Sequence, residues 1–263
     1  MDTHAHDHAP KSAAGHSHTA APQKRIITVR ALSGLSGDMM LSGLAFLAGL
    51  DATGLALLVD ELRLPALQGC LQLEARSVNH IAGVGCAIRL PHEHAHRSFA
   101  DIAALVSGSA MPEAAKGLSL RAFDLLAGAE AAVHGMRADD VTFHEVGALD
   151  SILDICLVCR LFTVLEPARF VCSPLPLADG VIHCAHGCIP SPAPAVLRLL
   201  ENVPVCGFAG SGETVTPTAL ALLKALDADF GPWPEMTVTK TGISYGTKVF
   251  ANVPNGAVWA LGQ

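Results

Sequence analysis

The sequence predicts an α/β protein: a single mixed α+β domain with helices packed on a central sheet, preceded by a disordered histidine-rich tail. Three observations carry this. Strand-like and helix-like stretches alternate irregularly over residues 25–263, joined by short, proline-rich connections. A chain of 263 residues, 51% of them hydrophobic, is long enough to bury one substantial core. Residues 1–24 are a separate compositional unit, small and polar, with no side chains able to build a core. In that tail His4, His6 and His8, then His16 and His18, alternate with other residues near Asp2 and Asp7, a composition that gathers nickel or zinc through neutral imidazole.

Residues 26–29 form a β-rich run that feeds the loop Ser33, Gly34, Leu35, Ser36, Gly37, Asp38 and then a helical pattern to about residue 50. Strand, glycine loop and helix in that order aim backbone N–H groups at an anion. The loop matches neither standard phosphate-binding fingerprint and has no lysine. Gly34, Ser36 and Gly37 are candidates for cradling a phosphate, and Asp38 either caps the helix or holds a cation. A second helix covers 52–62. Strands at 71–78 and 84–90 follow, turned through 79–83. The polar loop 91–97 carries His92, His94 and His96 in alternation, free to chelate or simply solvated. Helices then cover 98–107 and 112–134.

Residues 142–154 place His144, Glu145, Asp150 and Asp154 at the mouth and first turns of a helix that is apolar in nearly every direction from 152 to 165. Asp150 and Asp154 are four apart and share a face. Asp154 has Ile152, Leu153 and Ile155 for neighbours, so its carboxylate needs a metal, a histidine or a bound cation; an unpaired buried charge costs about 3–5 kcal/mol. Its replacement by asparagine is expected to lower stability as well as function. The alternative is a capping and salt-bridge cluster, with Asp150 or Ser151 serving the helix start. Four ligand-type side chains at one helix end favour chemistry.

Beyond that helix come a strand at 169–172, a proline-rich stretch, a strand at 181–184 and a helix at 195–201 that prolines 190–194 lead into. His183, Cys184, His186 and Cys188 have ligand-type side chains at a spacing that belongs to no standard zinc site, which favours structural cysteine with one functional histidine. The loop 210–218 is rich in hydroxyls; Glu213, Thr214, Thr216 and Thr218 either contact a polar ligand or cap the helix at 219–226, with Pro217 in its first turn. Strands at 236–240 and 257–261 flank a turn-rich stretch, and the second is expected to offer an exposed docking edge.

A net charge of −7, no basic run and a single tyrosine argue against nucleic acid as a partner. Mean hydropathy is high at +0.41, yet no apolar run reaches the roughly 18 residues that span a bilayer. The start lacks a basic, then apolar, secretory signal, so no membrane partner is expected and the cytoplasm is the expected compartment. Eight cysteines at irregular spacings in mostly apolar stretches read as reduced core thiols. Cys156 and Cys159 read as core packing and not as a redox pair.

Four blocks, in matching order, resemble the N-terminal region of the LarC family: residues 33–39 of the glycine loop, 143–155 with His144, Glu145, Asp150 and Asp154, 174–195 with Cys184 and His186, and 212–218 with Glu213 and Thr216. LarC proteins are the nickel-insertion proteins that complete the nickel-pincer nucleotide cofactor of lactate racemase. The resemblance implies a CTP-dependent cyclometallase, a nickel chelatase of the lyase class. Such an enzyme delivers nickel to pyridinium-3,5-bisthiocarboxylic acid mononucleotide and forms a carbon–nickel bond with loss of a ring proton. It implies nickel held by the catalytic candidates His144, Glu145 and Asp150. Asp154, His186, His92, His94, His96, His4, His6 and His8 are further metal candidates. Gly34, Ser36, Gly37, Asp38, Glu213 and Thr216 would surround the substrate. The family usually has histidine where Thr142 stands, one possible ligand fewer. Members normally continue into a C-terminal domain implicated in CTP use with Mg or Mn. The expectation is either a two-component enzyme, with that domain as a separate partner, or a paralogue with reduced activity; 25–263 is a LarC-like N-terminal domain, in a homo-oligomer. Two other classes stay open. A nickel metallochaperone or storage protein without catalysis needs only the histidine tracts, and a metal-dependent hydrolase would use the same His/Glu/Asp group to activate water.

Overall fold

The computed structural model describes residues 24–90, 97–143, 147–184 and 187–263. In chain order these contain β1 (Ile26–Ala31), α1 (Gly37–Ala48), α2 (Ala52–Asp60), β2 (Leu71–Val78), β3 (Ile81–Ile88), β4 (Arg97–Ser98), α3 (Phe99–Gly108) and α4 (Glu113–His134). They continue with β5 (Thr142–Phe143), α5 (Leu149–Leu165), β6 (Arg169–Cys172), β7 (Leu175–Leu177), β8 (Gly180–Cys184), β9 (Gly187–Ser191) and α6 (Pro194–Leu199). Last come β10 (Val205–Gly207), α7 (Pro217–Ala225), β11 (Asp229–Phe230), β12 (Val238–Ser244) and β13 (Ala257–Gly262).

Seven strands form the central sheet in the order β11-β6-β1-β13-β12-β3-β2. β1 runs parallel to β6 and β6 parallel to β11, while β13 is antiparallel to both β1 and β12. The expected mixed α+β architecture is what the chain adopts, with helices on a mixed sheet. α1 packs on β3, β12 and β13, and α5 packs on α1, α4 and α7. Neighbours on so many sides explain why α5 is apolar nearly all round: Ile152, Leu153, Ile155, Leu157, Val158 and Leu161 are buried. The buried apolar side chains form one contiguous cluster that includes Ile27, Leu44, Phe123, Ile155, Leu222 and Trp259.

Trp259 fixes how closely α1 approaches the sheet. Its ring stacks against Phe170 with centroids 6.5 Å apart, and Gly43 of α1 lies so close that a Cβ there would overlap the indole. The buried indole Nε1 donates to Ser244 Oγ at 2.8 Å. Ser244→Ala removes that acceptor and leaves a buried donor unpaired, so it is expected to cost about 1–3 kcal/mol in urea unfolding.

Several boundaries differ from the sequence expectation, each for a local reason. The turn expected over 79–83 is a two-residue turn, because Asn79 and His80 both take left-handed φ values of 51° and 64°; β3 then starts at Ile81. Gly187–Ser191 pairs with β8 as a hairpin, His183 opposite Cys188, and Leu175–Leu177 pairs with Val205–Gly207; none of β7, β9 and β10 was expected. The strand expected at 236–240 extends to Ser244. β13 is no docking edge, since β1 and β12 flank it on both sides. Cys156 and Cys159 are buried in α5, and burial pushes the Cys156 thiol up to about 12, which fits core packing. No helix among the described residues is long and apolar enough to cross a membrane.

Candidate functional site

The strand, loop and helix at the front of the chain meet at the C-terminal end of β1, an interior strand of the sheet. Gly34 has φ 130° and sits against the backbone of Thr214, where a Cβ would overlap the Thr214 carbonyl. That approach lets Leu35 N–H donate to Thr214 O at 2.9 Å and Thr216 N–H donate to Leu35 O at 3.1 Å. The two polar loops, 33–38 and 210–218, are thus stitched together as a short parallel bridge, Leu35 opposite Val215. A third segment closes on them from the sheet's other half: Gly256 N–H donates to Ser33 Oγ at 3.2 Å, and the Asn255 amide ties back to both backbone groups of Phe250.

These loops and the start of α5 enclose a cavity of about 710 Å³. The glycine loop contributes Gly34, Ser36, Gly37 and Asp38, α5 contributes Asp150 and Asp154, and the second loop contributes Glu213 and Thr216. All eight were singled out in the sequence, from three stretches far apart in the chain. Their partners divide the readings left open. Thr216 is the N-cap of α7, its hydroxyl accepting from Ala219 N–H at 3.2 Å. Thr214 turns its hydroxyl to Pro176 O at 2.7 Å. Ser36 precedes α1 without capping it and donates to Asp38 Oδ1 instead. Asp150 is exposed, and its Oδ1 accepts from Ser151 N–H at 2.7 Å.

Asp154 is the anomaly. Its Oδ1 is sealed from solvent and has no hydrogen-bond partner, while the rest of the residue borders the cavity. It lies under the first turn of α1, so close that a Cβ on Gly37 would come within 2.5 Å of Asp154 Oδ2. Burial, then the charges of Asp38 and Asp150, raise its pKa well above the ordinary carboxylate range. A buried carboxylate oxygen without a hydrogen-bond partner favours a proton or a cation beside it. The nearby buried thiol of Cys86 is pushed up by burial and by the charges of Asp154 and Asp38, so it is no ready thiolate ligand.

His144 and Glu145 lie outside the described residues, as do His186, His92, His94, His96, His4, His6 and His8. Of what flanks them, Arg97 and Phe143 pair across β4 and β5, and Arg97 Nη1 donates to Gly147 O at 2.7 Å just before α5. Among the described residues, no three His, Cys, Asp or Glu side chains converge closely enough to enclose a metal ion. A second cavity of about 440 Å³ shares Glu213 with the first and is lined by Glu130, His134, His183 and Cys184. Lys248 was missed by sequence reasoning; it lines the main cavity from the segment after β12, where only the turn residues Gly246 and Thr247 announce it.

The cavity is acid-lined, is built on a glycine loop and holds a carboxylate with one unpartnered buried oxygen. The chain belongs to the nickel insertion protein family, whose pattern matches residues 27–261; this is the LarC family that its motifs resemble. A putative nickel insertion protein of Geobacter metallireducens is 41% identical over 231 residues, covering 88% of this chain and 59% of that protein. One from Myxococcus xanthus is 40% identical over 244 residues, 91% of this chain and 61% of the relative. A protein of Staphylococcus saprophyticus named pyridinium-3,5-bisthiocarboxylic acid mononucleotide nickel insertion protein is 38% identical over 219 residues, 83% of this chain and 55% of its own length. The chain therefore spans less than two thirds of these relatives. No solved structure matches it.

Proposed function

We propose that this chain is the nickel-loading and substrate-binding part of an enzyme that inserts nickel into pyridinium-3,5-bisthiocarboxylic acid mononucleotide, making the nickel-pincer cofactor of lactate racemase. The observation that carries this is Asp154, whose Oδ1 is buried and unpartnered while the rest of the residue borders the main cavity, which Asp38 also lines. Nickel is the cargo. Asp154 and Asp38 seat it, and Asp150, His144 and Glu145 are assigned as the catalytic set. The soft thiocarboxylate sulfurs of the substrate complete the nickel coordination. The ring C–H is then replaced by a carbon–nickel bond, its electron pair passing to nickel. The proton goes to a carboxylate or imidazole of the catalytic set.

CTP, with Mg or Mn, is assigned to the C-terminal domain that the family resemblance implies, acting as a separate partner of the domain over 25–263. The histidine tracts at 1–24 and 92–96 serve as nickel-gathering segments. Nickel binding by the 263-residue chain, measured with and without the mononucleotide, tests the reading. The mononucleotide is expected to tighten nickel retention about tenfold or more, the ordinary scale of a coupling between two ligands. Metallated product is expected only when the relatives' C-terminal region is added with CTP. Nickel binding indifferent to the mononucleotide would leave a storage protein or metallochaperone, and robust CTP-dependent metallation by the chain alone would move the nucleotide site into the loops described here.

A further inference from the structure

Four carboxylates, Asp38, Asp150, Asp154 and Glu213, line the main cavity together with one ammonium, that of Lys248. Asp38, Asp150 and Asp154 enter from the start of α1 and the start of α5, so the glycine loop and the first turn of α1 are ringed by carboxylates. A phosphate placed there would meet like charges at close range, whatever the backbone N–H groups offered. Lys248 is the cationic side chain among the described lining residues, and Glu213 lines the cavity next to it. Its ammonium donates to Ser211 O at 2.9 Å and Glu213 O at 3.3 Å, and lies 4.6 Å from the centre of the Phe250 ring. Among the described residues it has no carboxylate partner within ion-pair distance. An ammonium has three N–H donors. Two are engaged by carbonyls, which fix its position, and one is left for a ligand. Thr218 and Thr247 add hydroxyls to the same cavity.

We infer that Lys248 is the phosphate anchor of this cavity: it takes the phosphomonoester of a pyridinium mononucleotide and thereby turns the pyridinium ring and its sulfur-bearing arms toward Asp38 and Asp154. The inference rests on the reading of the cavity as the mononucleotide site, and it replaces the glycine loop as the phosphate cradle.

The test compares nicotinic acid mononucleotide with its dephosphorylated riboside, titrated into the full chain by calorimetry. A charge-assisted hydrogen bond to phosphate corresponds to a preference of about ten- to hundred-fold for the mononucleotide in the wild type. Lys248→Ala is expected to shrink that preference to less than about threefold, while Lys248→Arg, which keeps the charge, retains most of it. Lys248 is exposed, so both variants should keep the wild-type melting temperature and nickel binding, which shows that the fold is intact. Equal binding of the two compounds by the wild type, or an undiminished preference in Lys248→Ala, overturns the anchor alone. Failure of the nickel-binding wild type to take up either compound removes the mononucleotide reading and the anchor with it.

Discussion

Asparagine in place of Asp154 is expected to stabilise the nickel-free protein at neutral pH, by about 1–3 kcal/mol, and to abolish its tightest nickel binding. The sign follows from burial. Asp154 holds its proton more tightly in the folded chain than in the unfolded one, because burial, Asp38 and Asp150 all raise its pKa. The unfolded value lies near 3.9. From there upward to the raised folded value, the folded state binds more protons than the unfolded state, so stability falls as pH rises through that window, and the full penalty applies above it. Asparagine has no charge to desolvate; its advantage should vanish at acid pH and grow towards neutrality. Urea unfolding of both proteins across pH, without nickel, reads this directly. A variant that is less stable at pH 7, or a difference that does not change with pH, would sink the argument. This sign is opposite to the one expected from sequence, where a partner for Asp154 is supposed; the described residues provide none for its Oδ1.

Gly34→Ala is expected to be the most damaging change in the loops, lowering stability by on the order of 2–4 kcal/mol and opening the cavity. A Cβ at φ 130° is strained wherever it points, and here it points into the Thr214 carbonyl. Relief requires the loops 33–38 and 210–218 to part, which breaks the hydrogen bonds from Leu35 N–H and Thr216 N–H. Chemical denaturation measures the loss, and nickel binding should weaken in parallel because Asp38 sits in the displaced loop. A stability change within about 0.5 kcal/mol, the range of an ordinary surface substitution, would mean that the loops are not coupled through this glycine.

What could be read from the sequence was whatever local chemistry encodes. The uniformly apolar α5 announced a helix surrounded by protein, and α1, α4 and α7 surround it. Ser98 and Asp101 form a capping box at the start of α3, close to where composition put that helix. The glycine and hydroxyl loops, and Asp150 and Asp154 on one helix face, were each visible as unusual, and the structure assembles eight such residues around one cavity. What could not be read depends on contacts between distant segments. Nothing near Leu35 names Val215 as its neighbour, and nothing near Lys248 says that its ammonium reaches Ser211. The position of β13 inside the sheet, and the β8–β9 hairpin, likewise depend on pairing and not on propensity.

The most direct measurement is anomalous diffraction at the nickel edge from crystals of this chain grown with the metal. The account predicts a nickel peak about 2.1 Å from Asp154 Oδ1, the bonding distance of a carboxylate to a first-row divalent ion, with Asp38 beside it in the same cavity. Nickel ordered elsewhere, with Asp154 Oδ1 still buried and unpartnered, would contradict it.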